Sequence, residues 1–250
     1  MILEEKDIEN GFWNIHNRKP EYLYCDDEKI HTVNSLGLGF INEHNKTKEL
    51  KVWYSKLEKL DNIEYIWISH KINQVKFESI CRMKNLKGIC INWSSIKNLD
   101  CLENLTNLQH LNLGLSSSIE SIKPVGGIQN LITFESENLK KVKDWNYLSN
   151  LTQLEGLGIY GGMYKRLKLE SIDFVKELLN LKYLFLISTS LLNKSLKPIE
   201  NLKELRSLKL TNDWPEEEFQ KLRTELPKLE YGNVANDKQT QYLKRILGKK

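Results

Sequence analysis

A six-residue pattern, apolar-x-x-apolar-x-apolar, returns along this chain at nearly constant spacing, and no other feature limits its possible folds so strongly. It reads Ile63, Ile66, Ile68; Leu86, Ile89, Ile91; Leu108, Leu111, Leu113; Leu131, Phe134, with Ser136 in the last slot; Leu154, Leu157, Ile159; Leu181, Leu184, Leu186; and Leu205, Leu208, Leu210. A looser copy begins at Leu229, with Gly232 and Val234 in the later slots. The first positions are 23, 22, 23, 23, 27, 24 and 24 residues apart. Between copies, apolar residues recur at every third position, as in Ile96, Leu99, Leu102, Leu105 and Leu108, or Leu139, Val142, Trp145, Leu148, Leu151 and Leu154. A period of three fits neither a strand nor an α-helix and suits short 3₁₀ or extended turns. Each unit therefore reads as a short strand and a return segment. A lone unit leaves both flat sides of its apolar slots uncovered, so the copies must stack into one solenoid with capped ends.

Composition agrees with repeated equivalent positions. The chain has 250 residues, of which 40 are Leu and 22 Ile, while Ala occurs once, at Ala235. Exposed helix faces draw on Ala, so this skew argues against a helical bundle. No stretch approaches the ~20 apolar residues of a membrane span. The segment Met1 to Asp7 lacks a basic flank followed by an apolar run, so the expectation is a cytoplasmic protein without a secretory signal. Cys25, Cys81, Cys90 and Cys101 match no zinc knuckle or dense disulfide framework and read as free thiols. The 37 Lys and Arg exceed the 33 Asp and Glu only slightly. They are interspersed along the chain, which makes nucleic-acid binding the lesser alternative.

The quoted motifs, from about Ile63 to Val234, resemble the leucine-rich repeat family, in the short-repeat form of bacterial internalin-like proteins. The resemblance implies an α/β solenoid with a parallel concave β-sheet and about eight repeats of 22–27 residues. Three segments of one structural domain follow: an N-terminal cap with a degenerate first repeat (1–62), the solenoid (63–234) and a C-terminal capping helix (235–250). The family pattern usually carries Asn eight residues after the first Leu. Here that slot holds Lys71, Ser94, Ser116, Leu139, Gly162, Thr189 and Asp213, so the turns at Leu139 and Gly162 need another source of hydrogen bonds.

Residue patterns also outline the caps. Val33, Leu36 and Leu38 suggest a degenerate strand, followed by a helix over Lys48 to Lys59. Near the other end, Asp213 is placed to cap a helix that starts near Pro215, carries Glu216, Glu217 and Glu218 in its first turn and buries Phe219, Leu222 and Leu226. A basic helix over Asp237 to Leu247 follows. Trp13, Tyr22, Leu23 and Tyr24 are expected to cover the first repeat.

No phosphate-loop, dinucleotide, zinc-protease or nucleophile-elbow motif is present. His16, His31, His44, His70 and His110 stand at no ligand spacing, so neither a metal nor a cofactor is expected. Glu135 and Glu137, two apart on one strand face, with His110, are the only constellation that suggests acid–base work, and an acidic spot on a binding surface is the simpler reading. The chain is expected not to be an enzyme.

Binding residues follow from strand alternation. If the first, fourth and sixth positions point inward, the third, fifth and seventh face the concavity. This selects Tyr65, Trp67, His110, Glu135, Glu137, Tyr160, Tyr183, Phe185, Lys209 and Tyr231, with His70 and Trp93 one step beyond at the rim. The aromatic members have the composition of an interface. Eight strands about 4.8 Å apart span roughly 34 Å, room for a standard interface of about 800 Å² per partner. The 27-residue spacing adds a rim loop with Met163, Tyr164, Lys165 and Arg166. The expected function is non-catalytic binding of another protein by a monomer, on the analogy of neutralising or immunity-type proteins.

Overall fold

A computed structural model of the chain describes residues 20–39, 46–211 and 213–235. Eight short strands form one all-parallel sheet in chain order: β1 (Ser35–Leu38), β2 (Tyr65–Ile68), β3 (Gly88–Ile91), β4 (His110–Leu113), β5 (Thr133–Glu137), β6 (Gly156–Tyr160), β8 (Tyr183–Ile187) and β10 (Ser207–Leu210). The remaining two, β7 (Leu167–Leu169) and β9 (Thr189–Leu191), pair in a separate parallel ribbon. The register carries one repeat slot across the whole sheet, as Leu36, Ile66, Ile89, Leu111, Phe134, Leu157, Leu184 and Leu208 face one another in turn. All eight are fully buried. The eight strands are displaced by one copy from the motif reading. The degenerate copy at Val33 supplies β1, whereas the copy at Leu229 contributes only the bridge between Ser207 and Tyr231. Gly232 there has φ +93°, which turns the backbone out of the extended form, and a Cβ at this position would collide with the Leu208 carbonyl oxygen.

The helix α1 (Lys46–Lys56) runs into a 3₁₀ turn at Leu57–Lys59 and seats Trp53 and Leu57 in the core. Return segments adopt the 3₁₀ turns that their period of three calls for, at Asp100–Asn104, Val125–Gly127, Asn146–Asn150, Asp173–Glu177 and Lys197–Ile199. An exception is α2 (Gln74–Ile80). Its Asn73 caps it by accepting from the Lys76 N–H at 3.1 Å, and it contains neither Gly nor Pro, so it closes into a true α-helix that buries Phe77 and Ile80.

Side chains stitch the stack together. Asn62, Asn85, Asn107, Asn130 and Asn180 each stand one residue before a first slot and donate to carbonyls of the preceding unit. In the other turn, Ser94 and Ser116 share a hydroxyl hydrogen bond of 2.7 Å and Ser116 also donates to the Gly114 carbonyl. Leu139 simply enters the core, and its turn is held by the Asn138 N–H, which donates to the Tyr160 carbonyl at 2.8 Å. Gly162 is tied by its own N–H to the Lys165 carbonyl.

Two expectations are corrected. Cys81 and Cys101 are not free thiols. They are joined as a disulfide with Cα atoms 5.7 Å apart, inside the usual window. Their separation of 20 residues is almost one repeat, so stacking brings them together; Cys25 and Cys90 are the free cysteines. Asp213 does not cap the last helix, α3 (Glu216–Glu225), whose N-cap position is Pro215 with no side-chain hydrogen bond. Asp213 instead pairs with Arg166. Helix α3 still buries Phe219 and Leu222, with Leu226 after it. Trp13 and the helix expected over Asp237 to Leu247 lie outside the described residues.

Candidate functional site

On the concave side of the sheet the strand columns are arranged as alternation requires, yet most of the side chains there are covered. Glycines explain how. Tyr65 lies across Gly88 of the next strand, where a Cβ would come within 2.6 Å of its ring, and Tyr160 folds back across Gly158, where a Cβ would meet its ring at 2.7 Å. Tyr183 and Phe185 stack at 5.6 Å between ring centroids and, with Tyr160, Ile187 and Tyr231 packed around them, make a second hydrophobic cluster. Lys209 caps this cluster with its ammonium 4.8 Å from the Phe185 ring, and Arg206 lies over Tyr231.

The expectation that all these residues stand open to a partner is therefore corrected for Tyr65, Tyr183, Phe185, His70, His110 and Glu135, which are buried. His70 holds the first repeats together: one ring nitrogen lies 3.2 Å from the Leu38 carbonyl and the other 3.2 Å from the Tyr54 hydroxyl. Burial lowers its pKa, the Leu38 hydrogen bond opposing and the Lys76 charge adding to the shift. His110 is 2.9 Å from the Thr133 hydroxyl within the sheet. Trp67, Glu137, Tyr160, Lys209 and Tyr231 are half-buried.

Exposure rises instead at the carboxyl ends of the strands. Trp93, after β3, is 50% exposed, its ring beneath the Lys71 ammonium at 5.0 Å. Leu115, after β4, is 43% exposed and has φ +37°, the left-handed region that a leucine enters only under strain. Neither Leu115 nor its angle was signalled by the repeat, whose variable slots stop one residue earlier. After β6 the rim loop holds Met163 at 86% and Tyr164 at 97% exposure. The loop is fixed at its base, since Gly161 donates to the Ile187 carbonyl, Leu167 to the Ser188 carbonyl, and the Ser188 hydroxyl to the Gly162 carbonyl. Lys165 and Arg166 are exposed, Arg166 in its ion pair with Asp213.

A cavity of about 400 Å³ opens between this loop and the sheet, lined by Asn112, Glu135, Glu137, Tyr160, Met163 and Ile187 among others. Glu135 is 1% exposed, and neither carboxyl oxygen meets a donor with hydrogen-bond geometry. Desolvation pushes its carboxyl well above the ordinary carboxylate range, and the neighbouring Asn112 amide and Tyr160 hydroxyl offset this only in part. Glu137, nearer the mouth, is raised too, again by burial, against a backbone hydrogen bond at Leu115. The described residues include no group of three or more His, Cys, Asp or Glu side chains able to hold a metal ion, and no helix among them is long and apolar enough to cross a membrane.

Among known proteins, no family model and no curated sequence matches this chain. Solved structures do. An internalin, InlF, from Listeria monocytogenes superposes with a TM-score of 0.52 at 19% identity, covering 83% of this chain and 64% of its own. The chain thus spans less than two-thirds of that protein. Internalin C2 of the same organism superposes with a TM-score of 0.54 at 20% identity, over 70% of this chain and 72% of its own. The likeness to the internalins is one of fold, and with its parallel strands stacked in chain order this chain folds as a leucine-rich repeat solenoid.

Proposed function

We propose that the chain binds another protein through the carboxyl-end rim of its sheet, from Trp93 and Leu115 to the loop bearing Met163 and Tyr164. The observation that carries this reading is the loop. It interrupts a regular repeat, its base is pinned by four backbone and side-chain hydrogen bonds, and it raises two large apolar side chains almost wholly into solvent. Nothing in folding favours that arrangement, whereas a Tyr and a Met on a rigid support are what an interface core uses. The concave aromatics serve beneath it as packing that holds the rim in place.

Charge supports the same reading over nucleic acid. Ten Lys and Arg side chains of the described residues, among them Arg82, Lys87, Lys141, Lys182 and Arg206, are spent in ion pairs, most of them between neighbouring repeats. The other Lys and Arg residues are interspersed with Asp and Glu along the chain and not gathered into a basic stripe for phosphates. A binder of this kind, monomeric and without chemistry of its own, fits a role in sequestering or neutralising its partner, as an immunity-type protein does.

A photoreactive benzoylphenylalanine at position 164, introduced in the cells that make the protein, tests the reading. Irradiation should yield one discrete covalent adduct with a second protein. The same residue at Lys123, on the convex side, should yield none. Equal labelling at both positions, or none at 164, would sink the proposal.

A further inference from the structure

We infer that the cavity floored by Glu135 receives one basic side chain, a lysine or arginine, projecting from the partner protein. This deepens the reading above and rests on it. The argument starts from valence. The atoms that Glu135 and Asn112 bring to the cavity without a hydrogen bond of good geometry are both carboxyl oxygens and the amide Oδ1; while the carboxyl holds its proton one O–H is the sole donor among them, and once it ionises all three are acceptors. An apolar or acidic guest would leave them unmet, at the cost that attends any buried polar group without a hydrogen bond. A guest with several N–H donors and a positive charge answers all three at once.

The walls fit the rest of such a side chain. Tyr160, Met163 and Ile187 line the path with apolar surface suited to an alkyl stem, and Glu137 stands half-buried at the mouth as a second carboxylate. The cavity's volume of about 400 Å³ is on the scale of small-ligand pockets. It is also continuous with the rim loop, since Met163 belongs to both. A guest carried by a protein that rests on Tyr164 would enter without leaving the interface, which favours a partner-borne side chain over a free amine.

Proton linkage follows. Burial makes the Glu135 carboxyl keep its proton above the ordinary range, the Asn112 amide and Tyr160 hydroxyl opposing this in part. From β4 it sees the neutral Asn112, from β6 the Tyr160 phenol, from its own strand Glu137, and from β3 the Cys90 thiol, itself pushed up to about 12 by burial and by Glu135. A cation entering among these groups favours the ionised form, so binding expels a proton and tightens as pH rises.

The probes are four acetylated, amidated pentapeptides, Ser-Gly-X-Gly-Ser, with X as arginine, lysine, citrulline or norleucine, titrated by carboxyl-carbon NMR of protein labelled in its Glu side chains. Arginine or lysine should shift the Glu135 signal saturably, about tenfold more tightly than its uncharged counterpart, and more tightly at pH 8 than at pH 6. The Glu135→Gln protein, its fold checked by circular dichroism and melting, should lose that preference. Equal binding of citrulline and arginine, no saturable shift with any peptide, or undiminished binding by Glu135→Gln would overturn the inference. Free arginine binding more tightly than its peptide would overturn the partner-borne guest. A Tyr164 adduct formed alongside peptides that show no charge preference would leave the protein-binding reading standing while this one falls.

Discussion

Glu135 shows what a single residue costs its own fold. In the unfolded chain its carboxyl ionises near the ordinary 4.5, whereas in the folded chain it holds its proton to higher pH. The folded state therefore binds more protons between those two values, and the stability tied to Glu135 is full below pH ~4.5 and is lost as pH rises through the raised value. Glu135→Gln should accordingly melt with the wild type near pH 4 and increasingly above it at pH 7 and 8. A melting series in which the gap does not widen with pH would show the carboxyl to be solvated. Alternation in the sequence tells which side of the sheet such a residue takes. It does not tell what lies over it: beside Glu135 the cover is Tyr160, laid across Gly158, which has no side chain beneath it, as Tyr65 lies across Gly88 elsewhere on the sheet. That pairing of an aromatic with a glycine two residues earlier or one strand on was present in the sequence as Gly158 and Tyr160, and it separates a buried aromatic from an exposed one. Leu115 was beyond such reasoning, since its left-handed backbone follows from where the turn must bend, not from its type.

At the level of elements, the strands and 3₁₀ turns were legible because their two periods are carried mainly by leucine and isoleucine, with a few slots such as Phe134, Val142 and Trp145 filled by other apolar residues. The hydrogen-bonded seam was not. The familiar asparagine position is vacated here, and a different one, immediately before the first slot, is filled by Asn62, Asn85, Asn107, Asn130 and Asn180. Asn62 differs from the rest: its amide lies 2.6 Å from both the Ile30 and Val33 carbonyls and is partly buried. Asn130 makes one exposed bond of 2.9 Å to Thr106. Asn62→Ala should then destabilise by about 2 kcal/mol and Asn130→Ala by about 0.5 to 1, measured by urea unfolding. The reverse ranking would mean that the seam does not anchor the first repeat. Helix α2 escaped the reading because its apolar residues, Val75, Phe77 and Ile80, suit either helix type over so short a run, and the cap at Asn73 decided the matter.

Across the whole molecule, the rim loop is joined to parts of the solenoid far from it in sequence. Strand β7 leaves the loop and pairs with β9, Thr189 in β9 takes its N–H to the Thr211 hydroxyl, and Arg166 reaches across to Asp213 before α3. A surface ion pair adds little to global stability, so Arg166→Gln should leave the melting temperature unchanged while amide hydrogen exchange at Met163 to Lys165 quickens. Slow exchange retained in that variant would assign the loop's order to β7 and β9 alone. Solenoids ordinarily lengthen or shorten by whole units, because each contacts only its neighbours. Between β6 and α3 that freedom is gone: a duplicated or deleted unit would part Arg166 from Asp213 and slip β7 off β9. The stretch that carries the loop can therefore change by substitution but not by repeat number, and insertions or losses among descendants of this gene are to be expected on the other side of β6.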